Sequence, residues 1–118
     1  MAYEYYWLRN YVALQSEPQI KRDLEKRTAV FNFLGSEGWE LLPTMSGEHH
    51  FCFRRTRSSL TKVRYEYYWL RDFISLLSDT QIQQDMNKRS KLFNELSAHN
   101  WELMMDDLSM FCFMRVKK

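Results

Sequence analysis

From Tyr3 to Arg9 the chain alternates its side chains with a period of two, Tyr3, Tyr5 and Trp7 to one side, Glu4, Tyr6 and Leu8 to the other. That period marks a strand, and apolar bulk on both sides marks a strand covered twice. After Ser16 the period lengthens. Ile20, Leu24, Phe31 and Leu34 recur at helical spacing, which predicts an amphipathic helix of about five turns. Ser16 as cap, Glu17 and Pro18 in the first turn and Gln19 three residues on give the helix a capping box. Trp39 to Met45 and His49 to Arg55 return to strand character, joined by a turn at Ser46-Gly47-Glu48.

The same pattern then repeats. Tyr65-Glu66-Tyr67-Tyr68-Trp69-Leu70-Arg71 restates Tyr3 to Arg9, and the register holds without a gap to Trp101-Glu102-Leu103. Roughly half of the aligned positions are identical. Ser78, Asp79 and Gln81 restate the cap, and Ile82, Met86, Phe93 and Leu96 restate the helical stripe. Trp101 to Met105 and Met110 to Val116 are the later strands. Gly38 before Trp39 aligns with Asn100 before Trp101. These two residue types best tolerate the left-handed backbone that closes a helix.

The expected fold is α/β of the α+β kind: two tandem β-α-β-β repeats, with six strands and two helices. Residues 1–56 form the first repeat, 57–64 a polar linker and 65–118 the second. Each repeat alone buries too little surface to be comfortable, so the two are expected to share a core as a pseudo-twofold single domain. Phe51, Phe53, Phe111 and Phe113 are expected beneath the helices. The other sheet face, assigned Tyr6, Leu8, Leu42 and Cys52 with Tyr68, Leu70, Met104 and Cys112, is expected to join the halves in a barrel-like or sandwiched pseudo-dimer. Side-by-side pairing into one sheet is the alternative.

The run Phe31-Asn32-Phe33-Leu34-Gly35-Ser36-Glu37-Gly38-Trp39-Glu40-Leu41-Leu42, followed by a strand ending Phe53-Arg54-Arg55, resembles a small prokaryotic and phage family, the domain-of-unknown-function family numbered 4177. The second half keeps Phe93-Asn94-Glu95-Leu96 and Trp101-Glu102-Leu103 but has neither glycine. The resemblance spans nearly all of each repeat. It implies a compact β-α-β-β fold and no activity.

A net charge of +2 does not by itself demand a nucleic-acid or membrane partner. No apolar run is long enough to span a bilayer. The first residues lack the basic and apolar regions of a signal peptide, and two cysteines do not make a disulfide framework. These readings lead to the expectation of a cytoplasmic protein. The aromatic content of 16% and the seven methionines suit cores and adaptable binding surfaces.

Within the stripe, Arg27 and its counterpart Arg89 sit at the centre of the apolar face, where a guanidinium must find a partner. Asp23 and Asp85 one turn earlier, or Glu4, Glu40, Glu66 and Glu102, would make the arginines structural. Convergence of Arg27 and Arg89 on one anion would make them a binding site. Arg9 and Arg71 end the first strands beside Tyr6, Tyr68, Trp7 and Trp69, a combination that can also stack bases, though the low net charge disfavours nucleic acid. Cys52 and Cys112, each between two phenylalanines, read as buried thiols that would approach one another across a pseudo-twofold axis. His49-His50 and Asp106-Asp107 occupy hairpins of different halves. They are poorly spaced for a metal, and no cofactor motif or nucleophile-base pair is present.

The expected function is that of a non-enzymatic binding protein. An anionic, nucleotide-like ligand would lie between the repeats, held by Arg27, Arg89, Arg9 and Arg71 with Tyr6, Tyr68, Trp7 and Trp69 as walls. A protein-interaction module or inhibitor is the alternative, a homo-oligomer is allowed, and a metal-assisted hydrolase is the remote third.

Overall fold

The structure, a computed structural model, describes residues 2–9, 12, 16–47, 50–57, 63–72, 74, 78–107 and 110–118. Local sequence sets both helix ends. Helix α1 (Glu17–Ser36) and helix α2 (Asp79–Ala98) follow Ser16 and Ser78, whose hydroxyls accept from the Gln19 and Gln81 amides. At the far ends Gly38 has φ of 87° and Asn100 φ of 70°. Trp39 and Trp101 then donate back to the Leu34 and Leu96 carbonyls, and Gly38 and Asn100 to Gly35 and Ser97. This is the same left-handed closure written with two different residues.

Strands β1 (Tyr3–Arg9), β2 (Glu40–Leu41) and β3 (His50–Thr56) form one antiparallel sheet in the order β1-β3-β2. Strands β4 (Tyr65–Arg71), β5 (Glu102–Asp107) and β6 (Met110–Val116) form a second, in the order β4-β6-β5. The expected strand from Trp39 to Met45 shrinks to two residues, because Pro43 has no amide to donate to a ladder and starts a 3-10 turn over Pro43–Met45. Lacking that proline, β5 runs six residues with an irregularity between Leu103 and Met105. Asp106 and Asp107 therefore lie in a strand and not in a turn. Glu48, His49, Leu108, Ser109 and linker residues 58–62 lie outside the described residues, so of the hairpin-metal arrangement only His50, Asp106 and Asp107 are described.

Cross-strand register corrects the expected face assignment. Tyr6 and Leu8 pair with Phe53 and Phe51, so they share the phenylalanine face. Tyr5 and Trp7 pair with Arg54 and Cys52, so Tyr3, Tyr5 and Trp7 share the cysteine face. The second sheet repeats this with Tyr67 opposite Met114 and Trp69 opposite Cys112. Alternation fixes sides within one strand, whereas pairing decides which sides of neighbouring strands coincide.

The packing of the halves also differs from the expected pseudo-twofold. Phe31 of α1 meets Phe51 and Phe53 of its own sheet with ring centroids 5.0 Å away, and meets Tyr67 and Trp69 of the other sheet at 5.5 and 5.4 Å. Phe93 of α2 meets Phe111 and Phe113 on the opposite face of the second sheet. The phenylalanine face of the first sheet is thus covered by α1 together with the tyrosine-tryptophan face of the second sheet, and α2 covers what remains. Among the described residues no reciprocal cover reaches β1: Tyr5 is 57% exposed while Tyr67 is 2% exposed. The halves follow one another head to tail. The two thiols are buried and free, with Cys112 inside the junction and Cys52 on the outer side of the first sheet, so they do not meet.

Candidate functional site

The junction is built on the free edge of β4. Tyr67 donates its backbone amide, which points away from β6, to Asn32 Oδ1 of α1 at 2.6 Å. Its phenol donates to the Trp39 carbonyl at 2.9 Å and accepts from the Leu41 amide at 2.8 Å, closing the edge of β2. Burial pushes the Tyr67 phenol and the Cys112 thiol well above their usual ranges. Close approach of helix and strand requires Gly35. A Cβ there would overlap the Tyr65 carbonyl oxygen and stand 2.9 Å from its carbon and 3.0 Å from Tyr67 Cε2. Arg71 of β4 reaches Glu17 at the start of α1 at 2.9 Å.

Arg27 and Arg89 do not converge. Arg27 is 1% exposed and lies 5.0 Å from the Phe51 ring centre and 4.6 Å from that of Trp69. It pairs with Asp107 at 3.3 Å. Burial draws the Arg27 guanidinium below its usual range, and Asp107 opposes that shift. Arg89 lies over Phe111 and pairs with Asp72 at 3.0 Å. Trp69 and Phe111 project from opposite faces of the second sheet, so no single anion touches both arginines. Of the partners weighed from sequence, Glu4 pairs with Arg55, Glu40 with Arg54 and Glu66 with Arg115, Asp85 accepts from the Gln81 amide, and Asp23 accepts from the Gln19 amide while its charge also favours the Arg27 guanidinium. Asp107, considered from the sequence only in a hairpin-metal arrangement, is the partner of Arg27 that helical spacing did not offer.

Three predicted residues do come together. Tyr68, Trp69 and Arg71 line a groove of roughly 730 Å³ between β4 and the first half of α1, with Lys21, Leu24 and Thr28 opposite. Trp69 is 4% exposed, and its indole N–H finds no acceptor among the described residues. Tyr6 instead packs on Trp39 with ring centroids 5.8 Å apart.

Arg9 and Trp7 belong to a different surface, the outer face of the first sheet. Tyr3, Tyr5 and Trp7 run along β1, with Trp7 53% exposed against 4% for Trp69. Arg54 stacks over Tyr3 at 4.6 Å while pairing with Glu40, and the Trp7 and His50 rings lie 6.0 Å apart. At the matching register the covered sheet has Met114 and Met110 where this one has Arg54 and His50. The open face thus keeps the aromatic stripe and gains charge beside it. Among the described residues no group of three or more His, Cys, Asp or Glu is placed to hold a metal ion, and no helix is long and apolar enough to cross a membrane.

Comparison with known proteins finds no match: no family model, no curated protein and no solved structure aligns with the chain. The resemblance of the Phe31 to Leu42 run therefore stands on those residues alone.

Proposed function

We propose that the protein is a non-enzymatic docking module that presents the outer face of its first sheet to a protein partner. One observation carries this: Tyr5 and Trp7 are more than half exposed, although the same residues one repeat later are sealed in a core. Aromatic residues with an arginine beside them are the usual anchors of protein interfaces, since they contribute large contact area with few torsions to freeze. The test is quantitative capture of host proteins by the intact chain, with Tyr5→Glu and Trp7→Ala as controls. Both variants lose the specific partner if the reading holds. Equal capture by all three chains, or quenching of Trp7 by a short single-stranded oligonucleotide with no protein captured, overturns it.

A second reading keeps the anionic ligand but moves it to the groove between α1 and β4. Its support is the indole N–H of Trp69, which has no acceptor among the described residues, beside the cationic Lys21 and Arg71, with Glu17, the partner of Arg71, and Glu25 also on the groove wall. An acidic ligand with a flat apolar body, such as a nucleotide, suits that chemistry. Such ligands raise the melting temperature of the parent chain, and Lys21→Ala removes the shift. No shift with any nucleotide at millimolar concentration refutes this second reading and leaves the first untouched.

A further inference from the structure

The internal junction has two sides, and the chain carries a second, uncovered copy of each. We propose that the chain associates head to tail with further copies of itself, the Tyr3-Tyr5-Trp7 face of one molecule seating on α2 and β5 of the next. This rests on the docking reading above and names the partner.

The correspondence is residue by residue. Inside the molecule Tyr67 bonds Asn32, its phenol bridges Trp39 and Leu41, and Arg71 reaches Glu17. At the open ends the equivalents are Tyr5 with Asn94, Trp101 and Leu103, and Arg9 with Asp79, all present in the sequence. The apolar receiving surface is equally matched and equally bare: Leu41 is 1% exposed but Leu103 48%, and Leu24 is 6% exposed but Met86 47%. Arg89 needs no counterpart of Asp107 from a neighbour, because Asp72 already pairs with it. Where the internal junction buries Met114 and Met110, the open face has Arg54, already paired with Glu40, and His50, which makes the intermolecular contact more polar and more separable than the internal one.

One position differs in a way that sets the strength. Gly35, where the helix meets the strand backbone, becomes Ser97 in α2. A side chain there holds β1 of the incoming molecule further off, so the intermolecular junction is a loosened version of the internal one. Contacts between two different surfaces do not close on themselves as a twofold does, so they build rings or filaments.

Sedimentation velocity of the full chain over a wide concentration range tests this. Ser97→Gly is expected to tighten association at least tenfold. In that background Tyr5→Glu, which blocks the face, and Leu103→Glu, which blocks the receiving end, are each expected to be monomeric alone. Mixed in equal amounts they are expected to form a one-to-one dimer through their intact ends. Both positions are about half exposed, and unchanged thermal melting confirms that each variant folds. The proposal is overturned if Ser97→Gly does not tighten association. It is also overturned if Leu103→Glu alone still dimerises, because two aromatic faces are then meeting each other. If self-association fails while Tyr5→Glu still loses a captured host protein, the docking reading survives and the partner is a different chain.

Discussion

Replacing Gly35 with alanine separates local helix preference from tertiary packing, because the two predict opposite signs. Gly→Ala on an open helix surface stabilises by up to about 1 kcal/mol, less in the last turn, where Gly35 lies. At Gly35 the new Cβ falls within the contact distance of the Tyr65 carbonyl group, which is backbone and has no rotamer to change. Ordinary carbon-to-oxygen contact is about 3.3 Å, so α1 and β4 must separate by roughly 1 Å. Overpacking of that kind costs about 1–3 kcal/mol. The separation also stretches the Asn32–Tyr67 hydrogen bond, now 2.6 Å, for a further ~1 kcal/mol. Net destabilisation of about 2 kcal/mol remains after the propensity gain. Urea denaturation reads this as a lower midpoint at unchanged slope, and thermal melting as a fall of about 8 °C. Ser97→Ala at the equivalent position of α2, where serine is exposed, is expected to stabilise by a few tenths of a kcal/mol from propensity alone. A neutral or stabilising Gly35→Ala would refute the close approach on which the head-to-tail junction depends.

Asp107→Ala leaves Arg27 buried without its charge partner and is expected to destabilise by about 3–5 kcal/mol, whereas Arg27→Met with Asp107→Leu recovers most of that. A denaturation cycle on the single and double variants measures it, and equal loss in all three would contradict the pairing. Gly38→Ala should cost about 1 kcal/mol and Asn100→Gly should be neutral or slightly stabilising, since both positions need positive φ. Calorimetric melting checks the pair, and a Gly38→Ala that melts no lower than the parent, or an Asn100→Gly that melts well below it, would count against the shared closure. Stability is also expected to fall at alkaline pH. Burial raises the Cys112 and Tyr67 pKa values, so the folded chain holds those protons more tightly than the unfolded chain. That contribution is complete below the unfolded thiol and phenol values, about 8.5 and 10, and is lost as pH rises past them. Tyr67→Phe and Cys112→Ala should each flatten the alkaline slope of the denaturation midpoint, and an unchanged slope in both would refute the assignment.

The sequence by itself determined what depends on neighbours along the chain. Capping serines, helix periodicity, the Gly38/Asn100 closure and strand alternation are consequences of bonds and faces within a few residues, and each is visible in a one-dimensional pattern. Proline at position 43 was equally readable as the end of β2, though the expected strand ran through it. Tertiary structure decided what depends on pairing between distant segments. Register placed Tyr6 with Phe53 and not with Cys52, because no residue within β1 specifies which side of β3 it will meet. Asp107 found Arg27 across 80 positions of chain, a pairing that helical spacing pointed away from by offering nearer acids. Two near-identical repeats suggested a twofold. Yet Gly35, present in only one helix, allows the strand backbone to approach that helix and not the other. That single missing Cβ coincides with the helix that receives the neighbouring half, and it leaves one aromatic face of two exposed.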